Sequence, residues 1–206
     1  MPTDKTKPPR RSRGSLSQEE ILDAAIGIIR EEGLEKLSMR RIAQILQCSV
    51  ASPYAYFESQ EAIIQSLIMK GERDLTTMLR ASSRELRSEN VYEQLKGIAR
   101  TYWTFATENR ELHKLMINMG IYRKTFTRLP TSYRVFLETL RRGVITGEIN
   151  CDPDKYRAVA STLWAWIYGL LVLEMNDLLR SSAGIDPIEA GMELFQNTLQ
   201  KKPEGS

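Results

Sequence analysis

Residues 38–57, SMRRIAQILQCSVASPYAYF, constrain this chain more than any other stretch. Ser38 reads as a helix cap, with Met39, Ile42, Ala43 and Leu46 at helical spacing behind it. Arg40, Arg41 and Gln44 fall outside that apolar face, and Ala43 is small where two helices must approach closely. Gln47-Cys48 makes a turn, and Ser49 reads as the cap of a second short helix with Val50, Ala51 and Ser52 on its first turn. Two helices joined this way have the build of a helix-turn-helix, whose second helix lies in the major groove of double-stranded DNA.

Helical spacing governs the flanks as well. Ser17 begins a helix with Glu19 and Glu20 near its positive end, Ile21, Ala25, Ile28 and Ile29 along one stripe, and Gly33 as a left-handed cap. Ser59 caps a fourth helix, which runs to about Arg80. Asn90 with Glu93 resembles a capping box ahead of Leu95, Ile98, Ala99, Tyr102 and Trp103. Leu112, Leu115, Met116 and Met119 follow, then Tyr133, Phe136, Leu137 and Leu140. Asp152-Pro153 and Asp186-Pro187 each place proline just inside a cap, starting a long apolar helix to about Arg180 and a last helix to about Gln200. No stretch sustains strand alternation. The expected fold is all-α with about nine helices: a basic arm over 1–15 with the character of disorder, a DNA-binding head over 16–62 and a larger helical domain over 63–206.

With 42% hydrophobic and 27% charged residues the chain has an ordinary globular balance, and a net charge of +3 is compatible with nucleic acid without requiring it. Two cysteines, Cys48 and Cys151, make no disulfide framework and suit a reduced cytoplasm. The opening MPTDKTKPPRRSRGS has no apolar core and does not read as a signal peptide. Residues 158–175 are apolar on most sides, but Ser161, Thr162 and Glu174 interrupt them, so a buried helix is expected in place of a membrane span. One histidine and two separated cysteines support no metal site, and no nucleophile elbow, phosphate loop, HExxH or dinucleotide fingerprint is present. Neither a cofactor nor an enzymatic activity is expected.

Taken together, Ile21, Ala24-Ala25, Glu32-Gly33, Leu37 to Ala43, Ser49, Tyr54, Tyr56-Phe57, Ser59 and Glu61 resemble the DNA-binding head of the tetracycline-repressor (TetR/AcrR) family of bacterial regulators. Three positions depart from that pattern. Gln47 replaces the turn glycine, Gln60 replaces a lysine early in the fourth helix, and Pro53 stands in place of leucine. In the carboxyl half, Trp164, Tyr168 and Gly169 resemble the Trp-His-Gly motif of one class of TetR-family ligand domains, with tyrosine in the histidine position; residues 108–116, ENRELHKLM, are similar to that class too. The resemblance implies a homodimer paired through its last two long helices. It also implies a small-molecule effector in the carboxyl domain and a repressor that leaves a palindromic DNA operator when a small, apolar ligand binds. An enzyme with an accessory DNA-binding head and a ligand-independent DNA-binding protein are the alternatives.

Arg40 is the candidate for bidentate base reading, with Val50, Ala51, Ser52 and Ala55 offering short polar or apolar contacts to base edges. Ala51 and Ala55 are equally explained by helix propensity. Arg41, Tyr54 and Tyr56 are expected on phosphates, with inward packing of one tyrosine as the alternative, and Phe57 in the core. Ser38 and Ser49 are caps that can also meet a phosphate. Candidates for the effector site are Trp103, His113, Met116, Tyr122, Trp164, Trp166 and Tyr168; each of them could equally fill an ordinary core.

Overall fold

The computed structural model describes residues 16–118, 130–179 and 186–200. Tyr122 and the basic arm over 1–15 lie outside them. Among the described residues there are nine α-helices and no strand. They are α1 (Gln18–Glu32), α2 (Met39–Ile45), α3 (Ala51–Tyr54), α4 (Gln60–Glu85), α5 (Val91–Glu108), α6 (Arg110–Ile117), α7 (Thr131–Thr146), α8 (Tyr156–Met175) and α9 (Pro187–Leu199), with a 3-10 turn at Leu34–Lys36. Contacts divide the chain into two compact units that meet between Met69 and Lys70, inside α4.

In the first unit α1, α2 and α4 have side-chain caps. Ser17 and Glu20 form a reciprocal capping box on α1, Ser38 Oγ accepts from Arg41 N–H at 3.1 Å, and Ser59 Oγ accepts from Ala62 N–H at 3.1 Å. Gly33 ends α1 at φ 95°, ψ 159°, a glycine-only extended region and not the left-handed cap expected. Ile21, Ala25, Ile28, Met39, Ile42, Ala43, Phe57 and Ile63 close the core, each fully buried Ile contributing about 1.5–3 kcal/mol.

In the second unit α5 is the hub, packing against α6, α7, α8 and α9. Asn90 caps it, accepting from Tyr92 and Glu93 N–H at 3.0 Å each. Arg110 reaches the carboxyl end of α8, donating to the Glu174 and Met175 carbonyls at 3.4 and 3.3 Å, where a cation suits the helix dipole. The α8–α9 packing depends on Gly191: a Cβ there would lie 1.8 Å from the Trp166 ring. The start of α8 corrects an expectation. Asp152 does not cap it; its carboxylate accepts from Asp154 N–H at 2.9 Å, closing a local turn, and the helix begins at Tyr156. At α9 the expected arrangement holds, with Pro187 first in the helix and Asp186 accepting from Ile188 N–H at 2.8 Å. α8 is long and apolar enough to cross a membrane by length and composition, yet its buried residues Ala160, Leu163, Ile167, Leu171 and Met175 form a single stripe.

Candidate functional site

The two short helices α2 and α3 present one exposed surface. Arg40 is exposed on α2, beyond the cap made by Ser38. Val50 and Tyr54, 47% and 54% exposed, stand out on the α3 side with exposed Ala51 and Ala55 and half-buried Ser52. Pro53, alone in the helix, is buried and holds the turn that follows: the Tyr56 and Phe57 N–H groups both donate to its carbonyl at 3.0 Å. The turn before α3 is made by Gln47 at φ 52°, the left-handed conformation that glycine takes more freely.

Three expected contacts are engaged within the protein. Arg41 donates to Glu32 through Nε at 3.0 and 3.1 Å and through Nη2 at 2.5 Å, and this bidentate bond holds the Glu32 carboxyl below the usual carboxylate range. Arg41 therefore ties α2 to the end of α1, whereas Arg40 makes no ion pair among the described residues. The Tyr56 hydroxyl donates to the Leu16 carbonyl at 2.5 Å, whereas Tyr54 is more exposed. Ser49 is not a side-chain cap, because its Oγ meets Ser52 Oγ at 2.8 Å and α3 starts without one.

In the second unit Trp164 on α8 gathers an aromatic cluster. Its ring stacks on Tyr102 of α5 at 5.2 Å and meets Tyr133 and Phe136 of α7 at 5.3 and 6.0 Å. Tyr102 in turn meets His113 of α6 edge-on at 5.5 Å, and His113 Nε2 lies 3.1 Å from the Tyr102 hydroxyl. His113 has no exposed surface, and burial pushes its pKa down to about 4. Its Nδ1 is buried without a partner among the described residues. Met116 is buried on the same helix, and the Tyr168 hydroxyl donates to the Ile117 carbonyl at 3.2 Å. Trp166 does not join this group: it faces α9, with its ring 5.4 Å from Phe195. Trp103 is half-buried, about 100° around α5 from Tyr102. Tyr102, Tyr133 and Phe136 belong to the cluster although their sequence context marked them only as apolar helix positions. Among the described residues no three His, Cys, Asp or Glu side chains converge as a metal would need.

Residues 21–67 match the bacterial regulatory proteins of the tetR family, and residues 95–198 match the tetracyclin repressor-like C-terminal domain. The nucleoid occlusion factor SlmA of Glaesserella parasuis is 29% identical over 100 residues, 48% of either chain. An HTH-type transcriptional regulator from the dhlA 5′ region of Xanthobacter autotrophicus is 28% identical over 124 residues, 52% of this chain and 61% of that one. The chain thus spans about half the length of the curated relatives it matches first. Among solved structures, a Rhodococcus sp. RHA1 protein of unknown function superposes with TM-score 0.75 at 18% identity, over 93% of this chain and all of that one. The regulator FadR of Bacillus subtilis, solved with stearoyl-CoA, superposes with TM-score 0.67 at 18% identity, over 89% and 100%. Since the two family matches cover both the helix-turn-helix and most of the carboxyl half, the chain belongs to the tetR family of bacterial regulatory proteins.

Proposed function

We propose that this chain is a cytoplasmic, non-enzymatic transcriptional repressor that binds a palindromic DNA operator as a homodimer. The observation that carries the reading is the exposed face of Arg40, Val50, Ala51, Tyr54 and Ala55 on a capped helix-turn-helix. Arg40 supplies the bidentate donor for a guanine, Val50 and the alanines offer apolar contact to thymine methyls, and Tyr54 and the end of α2 at Ser38 meet phosphates. A plain reading surface of this kind leaves part of the specificity to DNA shape.

The aromatic cluster around Trp164 is the proposed effector region. Its rings are packed against one another, and its one buried ring nitrogen without a partner among the described residues, His113 Nδ1, is the polar atom that a ligand could engage. FadR's stearoyl-CoA makes long-chain acyl compounds one class of effector to test. An effector releases DNA only by binding better to a state whose two heads no longer match the operator spacing.

Selection of bound duplexes from a random pool would give the operator. In a mobility-shift titration Arg40→Ala is expected to weaken operator binding by about 1–3 kcal/mol and to relax preference at one base pair per half-site. Wild-type affinity in that variant would refute the assignment of Arg40.

A further inference from the structure

A second cleft lies away from the aromatic cluster, between the end of α4 and the outer side of α7. It has a volume of about 520 Å³, within the range of small-molecule sites. Thr77, Arg80, Ser83 and Arg84 line it from α4, Arg87 from just beyond that helix, and Val135, Glu138, Thr139 and Arg142 from α7. Positions 80 and 84 share one face of α4, as do 135, 138, 139 and 142 on α7, so each helix presents a stripe to the cleft.

The charge in this cleft is strongly unbalanced. Four guanidinium groups face one carboxylate, Glu138, and among the described residues none of the four is in an ion pair. Arginines four residues apart on a helix, such as Arg80 and Arg84, repel one another, and Glu138 is the one carboxylate among the residues lining the cleft. Arg142 is half-buried and is aimed by a neutral group. It donates to Gln94 Oε1, while Gln94, buried at 3% exposure, is itself fixed by donating from Nε2 to the Glu89 carbonyl at 2.6 Å. The guanidinium is thus oriented without losing its charge. Arg84 Nε donates to the Arg80 carbonyl at 3.2 Å, which holds that side chain along the helix with its outer nitrogens left over.

We propose that this cleft binds the phosphoanhydride group of a small molecule, a nucleotide or a coenzyme A thioester. Planar guanidinium forks match phosphate oxygens two at a time, and several of them on two walls suit linked phosphates better than a single carboxylate. The concave, two-walled shape favours a small ligand over the convex backbone of a duplex. Because α4 forms one wall and also begins within the first unit, occupancy bears on the helix that joins both units.

Calorimetric titration of the full chain with inorganic tripolyphosphate, ATP and coenzyme A tests the proposal. Tripolyphosphate is expected to bind, more weakly as salt is raised. The double variant Arg84→Ala/Arg142→Ala should weaken it by about tenfold or more, and Arg134→Ala, an exposed arginine of α7 outside the cleft, should leave it unchanged. Tighter binding of ATP than of coenzyme A identifies a nucleotide source, and the reverse identifies a coenzyme A source. Absence of phosphate binding, or equal loss in Arg134→Ala, would overturn the site, as would a double variant that binds like wild type at an unchanged melting temperature. Operator affinity measured without ligand separates the two proposals: the double variant should retain it, so failure of the cleft leaves the DNA-binding reading standing.

Discussion

The His113 side chain is wholly buried, among the described residues hydrogen-bonds only to the Tyr102 hydroxyl, and is held neutral by its surroundings down to about pH 4. A group whose folded pKa is depressed from 6.5 to about 4 takes up its proton earlier in the unfolded chain. Stability should therefore be full above the unfolded value and fall as pH drops from about 6.5 toward 4, by roughly 3 kcal/mol in all. His113→Gln removes that titration, so urea midpoints across this range should fall more steeply for wild type than for the variant; parallel profiles would show that His113 does not contribute. The histidine stood out in the sequence as a lone residue, but not its partner, because Tyr102 lies on another helix. The same limit applies to the reading head. Arg40 and Arg41 are adjacent and alike in sequence, and only the position of Glu32 at the end of α1 decides that Arg41 is tied inward.

Helix starts were legible wherever the cap is a local side-chain bond, at Ser17, Ser38, Ser59, Asn90 and Asp186. They misled at Ser49, where α3 is a single turn built around Pro53, and at Asp152, where a tight turn takes the carboxylate first. The start of α7 was beyond local reading, because its N-terminal donors are served from another helix. Glu72 of α4, 8% exposed, accepts from Ser132 N–H at 2.8 Å and from Ser132 Oγ at 3.1 Å. Burial raises the Glu72 pKa and these donors only partly reverse it. A raised carboxyl pKa contributes stability that is present at low pH and is lost as pH rises through the shifted value. Glu72→Gln keeps an acceptor for Ser132 and abolishes the titration, so its stability relative to wild type should improve as pH rises out of the ordinary carboxylate range. Glu72→Ala instead strands a buried N–H and should cost about 1–3 kcal/mol near neutrality. Thermal melts of both variants across pH decide the matter: matched losses in Gln and Ala would leave the α4–α7 tie without a role.

At the scale of the whole molecule, α8 poses a question that its composition alone could not answer. An all-apolar helix has no readable inner face, so Trp164 and Trp166, about 200° apart, looked equivalent although one joins the aromatic cluster and the other packs on α9. Pairing of α4 with α7 was equally unreadable, and with it the arginine cleft, since Arg84 and Arg142 meet only through tertiary packing. The single buried stripe of α8 leaves Leu173 40% exposed, and Leu194 of α9 is 66% exposed. These exposed leucines on two adjacent helices are where the homodimer proposed above would pair. Leu173→Glu/Leu194→Glu would place charge on that surface without disturbing the buried stripe. Sedimentation should then show a monomer with helical content near wild type. Because two heads bound to one operator gain about 10²–10⁴ in effective affinity, specific DNA binding should fall by a factor in that range while single half-site binding persists. A variant that still sediments as a dimer would move the interface off α8 and α9; a monomeric wild type binding a full operator at undiminished affinity would remove the need for one.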